Sequence, residues 1–197
     1  MALKILDVPW VEQYEDNFCG PACAQMILLS KVNGLYDTFA VQTGLFNDIK
    51  NETTGGYPLV ERCGTRVLRW ESFPRALAKV INMRINPAVD SFAVHQDATE
   101  LASTARAVRG VNNNMASAAL LEDSTHWMVV YGWEDRPDPP GDVLPAITVD
   151  RKRITDLYVH DPNWPNQTRI DVEEWAILQY EVDCGVFKNK YVVVARP

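Results

Sequence analysis

The residues Gln13-Tyr-Glu-Asp-Asn-Phe-Cys19-Gly20-Pro21-Ala22-Cys23 constrain this chain more than any other stretch, because they set a cysteine at the start of a helix with a glutamine six residues before it. Downstream, Ala22, Ala24, Met26, Ile27, Leu28 and Leu29 form an apolar run of good helix formers, so the predicted helix is one that a core must enclose. Pro21 suits the first turn, where its missing N–H costs nothing, and Asp16 or Asn17 is placed to cap the exposed amides. A thiol at such a terminus feels the positive end of the helix dipole and unpaired N–H groups, both of which favour the thiolate. Cysteines are ordinarily inert packing residues. Cys19 becomes more than that only if the chain supplies partners.

A reactive thiol needs a base, and the candidates are His95, His126 and His160. His126 opens the segment His126-Trp-Met-Val-Val-Tyr-Gly-Trp133, whose β-branched and aromatic content predicts a buried strand that would hold the ring rigidly. Asp161 ends the next strand-like run, Leu157-Tyr-Val-His-Asp161, and is the carboxylate available to fix the imidazole tautomer. Gln13 can donate its side-chain amide to a developing oxyanion together with the backbone N–H of Cys19. His95 and His160 are expected at the surface or in a supporting role, His160 turned from the partner side of His126 because strand neighbours alternate faces.

Taken in order, Gln13, Cys19-Gly20-Pro21-Ala22, His126-Trp127-Met128-Val129-Val130-Tyr131-Gly132 and Asp161-Pro162 resemble the papain-like cysteine peptidases, and within them the bacteriocin-processing, double-glycine type. The resemblance spans residues 8 to 162. It implies an α+β, papain-like fold in which a central N-terminal helix carrying the nucleophile packs against an antiparallel sheet. It implies acyl transfer by Cys19, with His126 as base and then acid, Asp161 orienting it and Gln13 in the oxyanion hole, acting on a peptide or protein with cleavage after small residues such as Gly-Gly expected. Many such peptidases are fused to transporter domains. None is present here, so a freestanding peptidase or a piece of a longer polypeptide is implied.

Two regions depart from the pattern. The stretch Glu134 to Asp156 is longer than the usual hairpin and carries Pro137, Pro139, Pro140 and Pro145, which predicts an extended loop or distorted hairpin that still returns Asp161 beside His126. Between Asn33 and Arg69 no motif is recognisable, and the run Asn51-Glu-Thr-Thr-Gly-Gly56 predicts loops.

The remaining segments fill in an antiparallel sheet with helices. Residues 74 to 82 start on Pro and repeat apolar residues at helical spacing; residues 98 to 109 predict a helix stopped by Gly110. Met115 to Leu121 offers a strand to pair with the His126 strand, Asp171 to Tyr180 a helix with a capping acid and acidic first turn, and Tyr191 to Ala195 a closing buried strand. Trp133 and Trp175 are assigned to the core, whereas Trp127 and Trp164, next to the presumed triad, are candidate walls of a substrate groove.

Composition bounds the partners. With 197 residues and 47% hydrophobic content the chain suffices for one domain, residues 1–197, with a sizeable core. A net charge of −7, with Arg151-Lys152-Arg153 the one basic cluster and read as a solvated turn, argues against nucleic acid. No apolar run approaches a membrane span and the N-terminus lacks a signal-peptide core, so a cytoplasmic location is expected. Cys19, Cys23, Cys63 and Cys184 are spaced too sparsely for a disulfide framework, and Cys-x-x-x-Cys without a second pair does not make a zinc site; reduced thiols, no metal and no cofactor are expected. Cys23 is assigned to packing. Two alternatives share these residues: a papain-clan acyltransferase or deamidase using the same thiol, and a catalytically idle peptide-binding module.

Overall fold

The computed structural model describes residues 2–32, 38–54, 59–63, 66–70, 72–85, 91–121, 126–135, 147–149, 152–164, 168–179, 182 and 187–197. Its backbone is a seven-stranded antiparallel sheet built from β1 (Leu3–Ile5), β4 (Ala93–Asp97), β5 (Ser117–Leu121), β6 (His126–Glu134), β9 (Asp156–His160), β10 (Thr168–Asp171) and β11 (Tyr191–Ala195). The strands run in the order β10-β9-β6-β5-β11-β4. β6 is long enough to pair β5 along its first half, Leu121 opposite His126, and β1 along its second half, Leu3 opposite Glu134. β9 lies along its other edge. Two small hairpins stand apart, β2 (Leu59–Cys63) with β3 (Arg66–Trp70) and β7 (Ile147–Val149) with β8 (Lys152–Ile154).

Each face of the sheet carries its own core. Helices α1 (Cys19–Leu29), α2 (Phe39–Thr54) and α3 (Pro74–Arg84) cover one face, where Met26, Ile27, Leu45, Leu77 and Ile81 meet Trp127, Val129 and Tyr131. Helices α4 (Glu100–Asn112) and α5 (Val172–Leu178) cover the other, where Ala107, Val111 and Trp175 meet Met128, Val130 and Trp133. Tyr131 and Trp133 are two residues apart yet lie on opposite faces, because the β6–β9 register slips between Val130 and Gly132. Gly132 is required there: a Cβ would come within 2.9 Å of the Lys4 carbonyl of the crossing strand. Helix α1 is buried from Cys19 to Leu28 on every side, which is why its sequence is apolar without a polar stripe. Each fully buried Leu or Ile in it contributes roughly 1.5–3 kcal/mol relative to exposure.

Several sequence expectations stand and several are corrected. The strands at 117–121, 126–134 and 191–195 and the helix from Pro74 form as expected, and Asp171 caps α5 by accepting from Glu173 N–H. Residues 33–69, read as loops, contain the 16-residue helix α2, ending at Thr54, and the β2–β3 hairpin; tertiary burial of Leu45 and Ile49 overrides the weak propensity of the Asn-Glu-Thr-Thr end. Gly110 does not stop α4 but lies inside it, packed against Ser117. The stop is Asn114, at φ 61°, with Asn114 N–H donating to Val111 O and Met115 N–H to Gly110 O. Lys152 and Arg153 belong to β8 rather than to a turn. Pro137, Pro139, Pro140, Pro145, Arg151 and Cys184 lie outside the described residues.

Candidate active site

Cys19 is the first residue of α1. Its N-cap is Phe18, with no side-chain cap, so neither Asp16 nor Asn17 takes the role expected of it. Pro21 has no N–H and Ala22 N–H bonds back to Phe18 O at 2.8 Å. The first turn therefore leaves the N–H groups of Cys19 and Gly20 without an intrahelical acceptor. Cys19 is 8% exposed, whereas Cys23 one turn on is fully buried.

The β5–β6–β9 pairing brings the other members to it. His126 Nε2 lies 2.8 Å from Asp161 Oδ1, which leaves Nδ1 as the ring nitrogen available to the Cys19 thiol. Burial disfavours a charged ring here, but the Asp161 hydrogen bond, the Cys19 hydrogen bond and the charges of both outweigh it and push the His126 pKa up to about 10. The arrangement favours imidazolium beside sulfur. Asp161 is fixed in turn: its Oδ1 also accepts from Asn163 N–H at 2.7 Å, and its carbonyl accepts from Trp10 Nε1 at 2.8 Å. Cys23, one turn further along α1, is fully buried, and desolvation followed by the charges of Cys19 and Asp161 raises its pKa well above the ordinary thiol value. Both cysteines are free thiols.

Gln13 is carried beside this group by the N-terminal segment, with its backbone N–H donating to Pro162 O at 3.0 Å. Its side-chain Nε2 points back to the carbonyls of Glu15 and Asp16, at 3.2 and 3.3 Å, and its Oε1 is buried without a partner among the described residues. Donation to an oxyanion would require the amide to turn from those carbonyls. Gln42 on α2 was not anticipated because α2 was read as loop. Fully buried, it accepts from Tyr14 N–H at 2.8 Å and donates to Glu12 O at 2.9 Å, gripping the backbone on both sides of Gln13. Trp10 was also missed as a support of Asp161; its indole N–H, one residue of a non-periodic stretch, gave no signal in the sequence.

The aromatic assignments divide. Trp133 and Trp175 are core, at 3% and 0% exposure. Trp164 is 66% exposed and directly follows the Asp161 turn, open to a ligand. Trp127 corrects the groove expectation: at 2% exposure it packs in the α1 core and donates Nε1 to Ser72 O at 3.2 Å, because alternation along β6 turns residue 127 inward. His160 is likewise not at the surface. It is fully buried, stacked on Tyr131 with centroids 4.1 Å apart, and bonded through Nε2 to Val8 O. His95 is half-buried on edge strand β4 and remote from this group in the sheet order. Among the described residues no cluster of three or more His, Cys, Asp or Glu side chains could hold a metal.

A solved structure similar to this chain is that of a double glycine motif protease from an AMS/PCAT transporter, in complex with the leader peptide. The superposition has a TM-score of 0.51 and covers 98% of this chain and 94% of that one, at 12% identity. The fold of this chain is similar to that of the double glycine motif protease. No protein-family model matches it, and no curated protein does. Its likeness to that protease lies in the path of the backbone. No helix among the described residues is long and apolar enough to cross a membrane.

Proposed function

We propose that the protein is a cysteine peptidase. The observation that carries this reading is the continuous chain from Cys19 through His126 to Asp161, with the imidazole held toward its charged form by an acid on one nitrogen and the thiol on the other. In this reading Cys19 Sγ attacks a peptide carbonyl, and the oxyanion is met by the backbone N–H of Cys19 at the helix terminus and by the Gln13 amide once it has turned. His126 gives its proton to the departing amine, then draws one from the water that cleaves the thioester. Asp161 keeps the ring in register and stabilises its charge.

The fold shared with a protease whose structure holds a leader peptide supports a peptide as substrate. Exposed Trp164 is the wall we assign to the substrate, and Gly-Gly is the candidate cleavage signal because the protease of similar fold is a double glycine motif protease. The test is to compare new N-termini generated from a peptide library by the intact protein and by Cys19→Ala. Cleavage that vanishes in the variant and clusters after Gly-Gly supports the reading. Intact peptides with both proteins would overturn it.

A further inference from the structure

Gly20, directly after the nucleophile, faces Ser72 so closely that a methyl group built on it would overlap both Cβ and Oγ of Ser72 and would touch Trp127 Cδ1 at 3.4 Å. Ser72 is 5% exposed, and its carbonyl accepts from Trp127 Nε1 at 3.2 Å. Trp127 directly follows His126. One residue at the entry to α3 thus touches the neighbour of the thiol with its side chain and holds the neighbour of the base with its main chain. We infer that Ser72 is the positioning residue of the Cys19–His126 pair: its Cβ sets how far the N-terminus of α1 stands from the start of β6, and its carbonyl fixes the strand end.

This assignment deepens the thiol-site reading, but it rests on the geometry of the pair and not on the bond that the pair cleaves. The Ser72 hydroxyl is buried with no partner among the described residues, so the fit at Cβ, not a hydrogen bond, is what Ser72 contributes to Gly20. A helix end displaced by the width of a methyl group would separate thiol from imidazole, and misplacements near 1 Å commonly cost about a hundredfold at an active site.

The experiment follows iodoacetamide alkylation of Cys19 at neutral pH and the titration of the His126 ring by NMR in Gly20→Ala, Ser72→Gly, Ser72→Ala, Trp127→Phe and the double variant Gly20→Ala/Ser72→Gly. Gly20→Ala should alkylate about tenfold more slowly or worse, with the His126 titration displaced down from about 10 toward the ordinary imidazole value. Ser72→Gly in the same chain should restore most of both, because it vacates the space the new methyl needs. Ser72→Ala should stay close to the parent, and Trp127→Phe should displace the titration in the same direction as Gly20→Ala. If Gly20→Ala fails to fold, recovery of folding and alkylation in the double variant carries the same test. A double variant no better than Gly20→Ala, or Ser72→Ala as impaired as Gly20→Ala, would overturn the assignment. Peptide hydrolysis measured alongside separates the two claims: no hydrolysis by the parent with coupling intact removes the peptidase reading alone, and hydrolysis without coupling removes Ser72 alone.

Discussion

At the scale of single residues, the two α1 thiols differ in environment although they stand one turn apart. Cys19 keeps 8% of its surface and interacts with the His126 imidazole, whereas Cys23 is fully buried and held protonated by burial. A thiol-directed electrophile should therefore label Cys19 well before Cys23 in the folded protein, and peptide mapping reads the ratio; equal labelling would show that Cys19 is not activated. The raised His126 pKa gives the sign of the activity profile. The imidazolium that must protonate the leaving amine is lost as pH rises through about 10, so hydrolysis should fall only well above neutrality. Asp161→Asn removes the charge that holds the ring protonated, and its alkaline limb should move down by at least a pH unit. Gln13→Ala should lower turnover by roughly a hundredfold, the usual scale for one oxyanion donor, while alkylation of Cys19 by a small reagent stays near the parent rate. Normal hydrolysis in that variant would take Gln13 out of the site.

At the scale of elements, the end of α4 shows packing and propensity pulling in opposite directions. Helix propensity alone says that Gly110→Ala stabilises by about 1 kcal/mol, since Gly is a poor residue inside a helix. The strand that follows α4 returns across it, however, and the added methyl would overlap Ser117 Oγ. Overpacking typically costs 1–3 kcal/mol, so the net effect should be a loss of about 1 kcal/mol and a lower melting temperature. Ser117→Ala in the same chain should recover part of it, because Ser117 Cβ would lie 3.7 Å from the new methyl, an ordinary contact, while the Met115 carbonyl at 3.2 Å still crowds it. A Gly110→Ala protein that melts higher than its parent would show that α4 and β5 yield at this point. The same element explains a misreading: Gly110 has the composition of a stop, but the left-handed residue that ends the helix is Asn114.

For the molecule as a whole, three histidines contribute to how stability varies with pH, in two directions. The folded-state pKa of His126 is raised, so its contribution is complete below the unfolded value near 6.5 and is lost as pH climbs toward about 10. His160 and His95 are lowered by burial, with Arg106 adding to the effect at His95, so their contribution is present above 6.5 and is lost as pH falls through their folded values. Urea unfolding across pH should give a dome. His126→Ala should flatten its alkaline side and His160→Gln its acid side; a parent protein equally stable from pH 5 to pH 10 would contradict both shifts. The N-terminal segment is the other whole-molecule feature. It is tied to the sheet by Leu6 N–H on Tyr131 O, His160 Nε2 on Val8 O, Trp10 Nε1 on Asp161 O and Gln13 N–H on Pro162 O. Gln13 thus reaches the site along a strap anchored on β6, on the end of β9 and on the Asp161-Pro162 segment that follows it.

The sequence by itself determined the elements whose pattern is local: the apolar helix after Cys19, the buried strand after His126, the closing Tyr191–Ala195 strand and the capped helix after Asp171. It also named the thiol, the imidazole and the carboxylate that the structure brings together, because each stands at the end of such an element and the ends of antiparallel strands meet. What was not legible depended on contacts between segments far apart in the chain. Helix α2 forms from a run of indifferent propensity because the core takes up Leu45 and Ile49, and Trp127 and His160 turn inward because β6 and β9 are covered on the face they present. Only the tertiary structure decided that Ser72 stands between Gly20 and Trp127 and that Gln42 grips the backbone around Gln13. Those contacts join residues 52, 55 and about 30 positions apart, and the energy of such a close approach lies in shape and direction, which no local pattern of residue types encodes.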